Sequence, residues 1–198
     1  MKAFYERLWQ QEKPFGHWTD ENFKYHHDFF KPYIGKLVLD YGCGSGEFLS
    51  KIFLSKIIDV GFGYDISPTA IEKAHKNYPW LIFPLLLKKQ YFDTICLIDV
   101  LEHIPDLVSL LEELRGLLKV GGHLLIATNE LSPVKGALIS LLMFEKYFSP
   151  TSPHLRYFTK HTLKELLEDN GFEVVAYKKN RTYLGILSRG QMVVAKLK

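Results

Sequence analysis

Three glycines at alternate positions, Gly42, Gly44 and Gly46, follow an acid, Asp40, at the end of the apolar run LVLD. Glycines so spaced let the backbone turn tightly with positive φ and let a ligand lie directly on the chain. The helix that opens behind them (GEFLSKIFLSK) would turn its first amides toward that ligand, which favours a carboxylate or another anionic group. Asp65 ends the next apolar run, residues 60–64, where a carboxylate can accept hydrogen bonds from two vicinal hydroxyls, as a ribose presents them. A third group, Asp99, Glu102 and His103, stands in IDVLEHIPD. Histidine titrates near neutrality, so His103 suits the removal of a proton from an acceptor hydroxyl. Alone, a Gly-x-Gly-x-Gly turn fits dinucleotide, nucleotide and purely structural turns alike.

To act together, these residues must sit at the ends of neighbouring strands. Strand-like runs fall at 36–40, 59–64, 81–86, 93–98, 122–128, 172–178 and 191–197, with helix-like runs at 45–56, 67–77, 106–118 and 159–169 between them. This alternation predicts an α/β fold: a doubly wound, seven-stranded, mostly parallel sheet with helices on both faces. In 106–118 the leucines at 107, 110, 111, 114, 117 and 118 form one wide stripe, so this helix packs on the sheet. Ser67-Pro68 is a good helix start and Asn170-Gly171 a good helix end. The last two runs read as a hairpin-like pair. Two regions stand outside the alternation. Residues 1–33 are aromatic-rich and predict a helical cover, with a helix over 19–30. Residues 131–158 interrupt the pattern after the fifth strand, inside a domain running from 34 to 198. Ligands of open α/β sheets bind beyond the carboxyl ends of the strands, so both regions are placed to wall or cover the acceptor.

Composition bounds the function. The 198 residues are 47% hydrophobic and 14% aromatic, enough for one packed α/β domain and against disorder. A net charge of +3 without a dense basic cluster argues against nucleic acid as partner. The two cysteines, Cys43 and Cys96, lie in apolar contexts and read as reduced and buried, which points to the cytoplasm. The N-terminus carries no signal-like apolar core, and no run approaches the length of a membrane span. The apolar stretch VKGALISLLMF, too short to span, reads as a cover over an apolar or lipid-like acceptor, with a dimer contact or a membrane edge as alternatives.

The ordered set LVLDYGCGSG, GYDIS, YFDTICLIDVLEHIPD and LLKVGGHLLIAT resembles the class I S-adenosylmethionine (SAM)-dependent methyltransferases over roughly residues 30–180. HLRYFTKHTLKELLEDNGFEV resembles their lipid- and quinone-type O-methyltransferases. The resemblance implies SAM as cofactor, S-adenosylhomocysteine as product, and a small-molecule acceptor, with oxygen favoured over nitrogen or carbon. It places the methionine part on Gly42, Cys43, Gly44 and Gly46 with Asp40 near its ammonium, the ribose on Asp65 and the adenine against Ile66. Asp99 is expected where cofactor and acceptor meet, and Asp99 with His103 carries the catalytic role. The stretch after the third strand, NYPWLIFPLLLKKQYFD, departs from the family by having no acid before Asp93. Adenine is then expected on backbone groups of residues 84–88. Quinone-type relatives link an acid, a two-residue gap and Glu-His to a divalent metal, and Asp99, Glu102 and His103 copy that spacing. Adjacent Glu and His cannot form a helical ligand pair and no further ligand is evident, so no metal is expected. His154, Arg156 and Tyr157 either face the acceptor or pin the insertion to the core. The rival classes are a non-catalytic SAM-fold binding protein and an NAD(P)-dependent oxidoreductase. The second is disfavoured by the Gly-x-Gly-x-Gly spacing and the absence of a Tyr-x-x-x-Lys pair.

Overall fold

The structure, a computed structural model, describes residues 2–11, 18–149, 152–183 and 187–198. Helices α1 (Lys2–Gln10) and α2 (Asp20–Phe30) precede strand β1 (Leu37–Tyr41) and helix α3 (Glu47–Leu54). Strand β2 (Val60–Tyr64), helix α4 (Pro68–Asn77), strand β3 (Phe92–Ile98), helix α5 (Leu107–Leu117) and strand β4 (Leu118–Asn129) follow. Two helices, α6 (Pro133–Leu142) and α7 (Phe144–Tyr147), fill the insertion before α8 (Lys160–Asp169), β5 (Phe172–Tyr183) and β6 (Leu187–Leu197). The helix starts obey local chemistry. Ser67 accepts from the amide of Ala70 with Pro68 behind it, Asp106 accepts from that of Ser109, and Thr159 and Thr162 form a reciprocal capping box.

The six strands run in the order β2-β1-β3-β4-β6-β5, parallel from β2 to β4, with β6 antiparallel to both β4 and β5. Period-two alternation sends side chains to two separate cores. Leu39, Ile95, Leu97, Leu124 and Ile126 join the leucine stripe of α5 and Leu163 and Leu167 of α8 on one face. Val38, Cys96, Leu125, Ala127 and Val194 meet Phe30 of α2 and Phe48, Leu49 and Ile52 of α3 on the other. Each fully buried leucine stabilises this arrangement by roughly 1.5–3 kcal/mol.

The expected strand at 81–86 is a correction: it makes one bridge, Ile82 to Phe62, so the sheet has six strands rather than seven. Ile82 donates to the carbonyl of Gly61 (3.0 Å) and accepts from the amide of Gly63 (2.8 Å). The next donor in that parallel ladder would be residue 84, a proline without an N–H, and pairing stops there. Strand β4 is longer than its apolar run, because α5 passes straight into it and the Asp93 carboxylate collects Lys119 (2.6 Å) together with the amides of Lys36 and Leu37.

The chain crosses from β2 to β3 on the far side of β1, so the switch point lies at the carboxyl ends of β1 and β3.

Candidate active site

A cleft of about 920 Å³ opens at that switch point. Its floor is the glycine turn. The amides of Gly42 and Cys43 both donate to the carbonyl of Tyr64 (2.7 and 3.0 Å), tying the turn to the end of β2. Gly42 (φ +84°) has no room for a side chain, since a Cβ would stand 2.6 Å from Val100 Cγ2. Asp65 holds the turn from the side: Oδ2 accepts from the Gly44 amide (3.0 Å) and Oδ1 from that of Ser67 (2.8 Å).

Acids dominate the walls. Asp40, Glu47, Asp65, Asp99, Glu102, Asp106 and Glu113 line the cleft, against Arg189 as the one Lys or Arg among the described lining residues. Asp40, 3% exposed, is pushed up to about 7, by burial first and then by the charge of Asp65. Burial raises Asp65 as well, against the amides of Ser67 and Gly44, which pull it down. Asp99 occupies a left-handed conformation (φ +54°) just past β3, with its amide on the Ala127 carbonyl (2.8 Å). Its side chain is open to the cleft yet lies deep among the surrounding walls, and this burial, then Glu102, pushes its carboxyl up to about 7. Several carboxylates in a low-dielectric cleft make a place for a cation.

At the far end, Glu102 and His103 sit on a single 3-10 turn, Leu101–His103. His103 Nδ1 lies 2.9 Å from the carbonyl of Pro153. A carbonyl only accepts, so Nδ1 donates there and Nε2 is the ring nitrogen left outside that bond. Glu102, 2% exposed, accepts from Thr128 Oγ1 (2.8 Å). His154 packs at 5.0 Å from the His103 ring, and its pKa is lowered by burial first and by His103 second. One donor atom each from Glu102, His103 and His154 lie within 4.8 Å of one another. The spacing-based trio therefore differs from the spatial one, in which His154 stands where Asp99 was expected.

The structure brings together along the cleft most of the residues singled out by sequence: Asp40, Gly42, Cys43, Gly44, Asp65, Ile66, Asp99 and His103. Gly46 is not part of the lining. It caps α3 at φ +79° and its Cβ would meet Ala74 and Tyr78, so it serves helix packing. Residues 84–88 are not among those lining the cleft, and Leu85 is 98% exposed. His154 faces the cleft, whereas Arg156 and Tyr157 pin the insertion, donating to the carbonyls of Pro105 (2.7 Å) and Tyr147 (3.2 Å). His26 is packed against Trp18 and bonded to Asn22 and Asn180. Sequence reasoning missed Tyr5 and Trp9 of α1, Thr128 and Asn129 at the end of β4, and Asn180 and Arg189 on the hairpin. Only the aromatic density of the N-terminus signalled the first two.

Residues 15–177 match the model of a family described as methyltransferase domain. The chain belongs to that family. This methyltransferase domain is 30% identical over 106 residues to a ubiquinone biosynthesis O-methyltransferase of Histophilus somni (strain 2336), covering 47% of the chain and 44% of that protein. A protein of the same name from Pseudomonas putida (strain W619) is 25% identical over 160 residues, 71% of the chain and 65% of its own length. The matched stretch thus spans less than half of the first relative and about two thirds of the second. In fold, the domain superposes on a SAM-dependent methyltransferase from Archaeoglobus fulgidus with a TM-score of 0.69, at 20% identity and 98% coverage of both chains. A SAM-dependent methyltransferase from Methanosarcina mazei gives 0.66, at 21% identity, over 85% of this chain and 96% of that one. Both cysteines are free and buried, and no described helix is long and apolar enough to cross a membrane.

Proposed function

We propose that this methyltransferase domain moves a methyl group from SAM to the oxygen of a small-molecule acceptor in the cytoplasm. The observation that carries the reading is His103. Its Nδ1 is committed to the Pro153 carbonyl, and it stands in the same cleft as the glycine turn, with Asp99 between them in the chain. SAM supplies an electrophilic methyl on a sulfonium, and the new C–O bond forms as the C–S bond breaks. Gly42, Cys43 and Gly44 give a floor for the methionine part, Asp40 faces its ammonium, Asp65 takes the ribose hydroxyls and Ile66 takes one adenine face. Gly46 contributes by holding the turn. The acidic walls favour the cationic cofactor over its neutral thioether product. Asp99 helps to align the acceptor, and His103 Nε2 accepts the hydroxyl proton. The relatives named O-methyltransferases support oxygen as the acceptor atom. No residue of α6 lines the cleft, so the apolar or lipid-like acceptor is supported by the likeness to the relatives named ubiquinone biosynthesis O-methyltransferase; a nucleic-acid acceptor is not part of this reading.

Calorimetry with SAM and with NADH tests the cofactor. Micromolar SAM binding, lost in Asp65→Ala, upholds the reading, and binding of NADH alone returns the oxidoreductase. SAM binding without turnover on phenolic, quinone-like or carboxylate acceptors favours a non-catalytic binder. A second reading, favoured by the three donor atoms within 4.8 Å, is a divalent cation on Glu102, His103 and His154. Loss of activity on chelation, restored by zinc or magnesium, selects it over the free base.

A further inference from the structure

Helix α1 lies across the cleft, and its attachments are polar. No residue of α1 is buried. Glu6 holds the start of α4 instead: its Oε2 accepts from Ser67 Oγ (2.6 Å) and from the amide of Thr69 (3.4 Å), and its Oε1 from Thr69 Oγ1. Lys73 Nζ, on the same helix α4, donates to the carbonyl of Trp9 and stands 5.8 Å over its ring. These contacts set two aromatic rings over the cleft. Trp9 lies on the glycine turn so closely that a Cβ on Gly44 would be 2.7 Å from indole Cζ2. Tyr5 meets the His103 ring edge-on at 5.8 Å. Its hydroxyl is pushed up to about 12 by burial, then by Glu102 and Asp65, so it stays a neutral donor between the two ends of the cleft.

A ligand of the glycine turn must pass this helix. A helix with no buried residue, held to the fold by a few part-buried hydrogen bonds at one side, belongs to the part of a fold that opens at little cost. A flat indole on the turn is also suited to cover a bound methionine chain and shed its water.

We propose that α1 is a strap that closes over the cofactor, with Trp9 as its contact to the ligand and the Glu6 clasp on Ser67 and Thr69 as its latch. The proposal rests on the cofactor site assigned above. Release of S-adenosylhomocysteine then requires the latch to open, and the same clasp that shields the transfer from water slows the departure of product.

The test combines amide exchange with stopped-flow release of S-adenosylhomocysteine from the full chain. Ligand is expected to slow exchange in residues 2–10 at least tenfold. Glu6→Ala and Thr69→Val are expected to speed release about five- to tenfold, a factor in the range of one or two hydrogen bonds, and to lower protection in α1 but not in β1 or β3. Thr69→Val spares the Ser67 cap, so it separates the latch from the stability of α4. Ligand binding with unchanged exchange in 2–10, or with unchanged release in both variants, overturns the strap and leaves the cofactor site standing. Failure of the wild-type chain to bind S-adenosylhomocysteine overturns both.

Discussion

The Gly44 amide donates to Asp65 Oδ2 at 3.0 Å, so the carboxylate proposed to read the ribose also fixes the turn proposed to carry the methionine. Asp65→Ala removes both functions. It is expected to weaken SAM binding more than a hundredfold in calorimetry, whereas Ile66→Ala, which removes only an apolar contact, should cost about tenfold or less. Equal losses in the two variants would show that Asp65 does not hold the turn and the ribose jointly.

Asp40 gives a pH dependence. Its folded pKa of about 7 lies above the roughly 3.9 of an unfolded aspartate, so the native state holds the extra proton between those values. Unliganded stability therefore falls as pH rises from about 4 to 7 and levels off above that, by at most ~4 kcal/mol. Asp40→Asn lacks this loss: its Tm should exceed that of the wild type at pH 8, with the gap closing toward pH 4. Thermal unfolding across this range checks it.

The same group links cofactor binding to protons. A cation set beside Asp40 and Asp99, both near 7 when the cleft is empty of it, lowers their pKa values and drives protons off. SAM binding at pH 7 should release a fraction of a proton per site, visible as a buffer-dependent binding enthalpy, and the release should shrink in Asp40→Asn. A buffer-independent enthalpy in the wild type would remove Asp40 from the cofactor's surroundings.

His103→Ala is expected to lower kcat by about a hundredfold or more while leaving SAM affinity within about twofold, because a proton acceptor acts on the transition state. A kcat unaffected by the substitution would mean that alignment of acceptor and methyl suffices.

Leu111, fully buried in the α5 stripe, tests the fold apart from the site. Leu111→Ala should lower unfolding stability by roughly 2–5 kcal/mol in urea while leaving the SAM affinity of the folded protein unchanged.

Sequence reading succeeded wherever local chemistry decides. The continuous apolar runs of β1, β3 and β4, the Ser67-Pro68 start and the leucine stripe of α5 carry their structure with them, and the glycine turn with its acids follows from strand ends. It erred where a single residue outweighs the pattern: the run LIFPLL is apolar enough for a strand, but Pro84 removes the donor that would continue the ladder. Gly46, outside the cleft lining, uses its positive φ at the N-cap of α3. The pairings of His154 with His103 and of Trp9 with Gly44 were beyond its reach for another reason. His154 meets His103 from 51 positions away, and Trp9 meets Gly44 from 35, and neither pairing leaves a trace in spacing along the chain. Long-range partners of a site have to be seen in space.

The shortened ladder beside β2 gives the molecule a seam. From Pro84 to Lys88 the chain has left the sheet, does not line the cleft and presents Leu85 and Leu86 almost wholly to solvent. Such a stretch is where extra residues can be spliced in and where a protease can cut with least harm. Nicked there, the two pieces would still share the β1–β3 pairing and both cores, and the halves of the cleft would remain face to face.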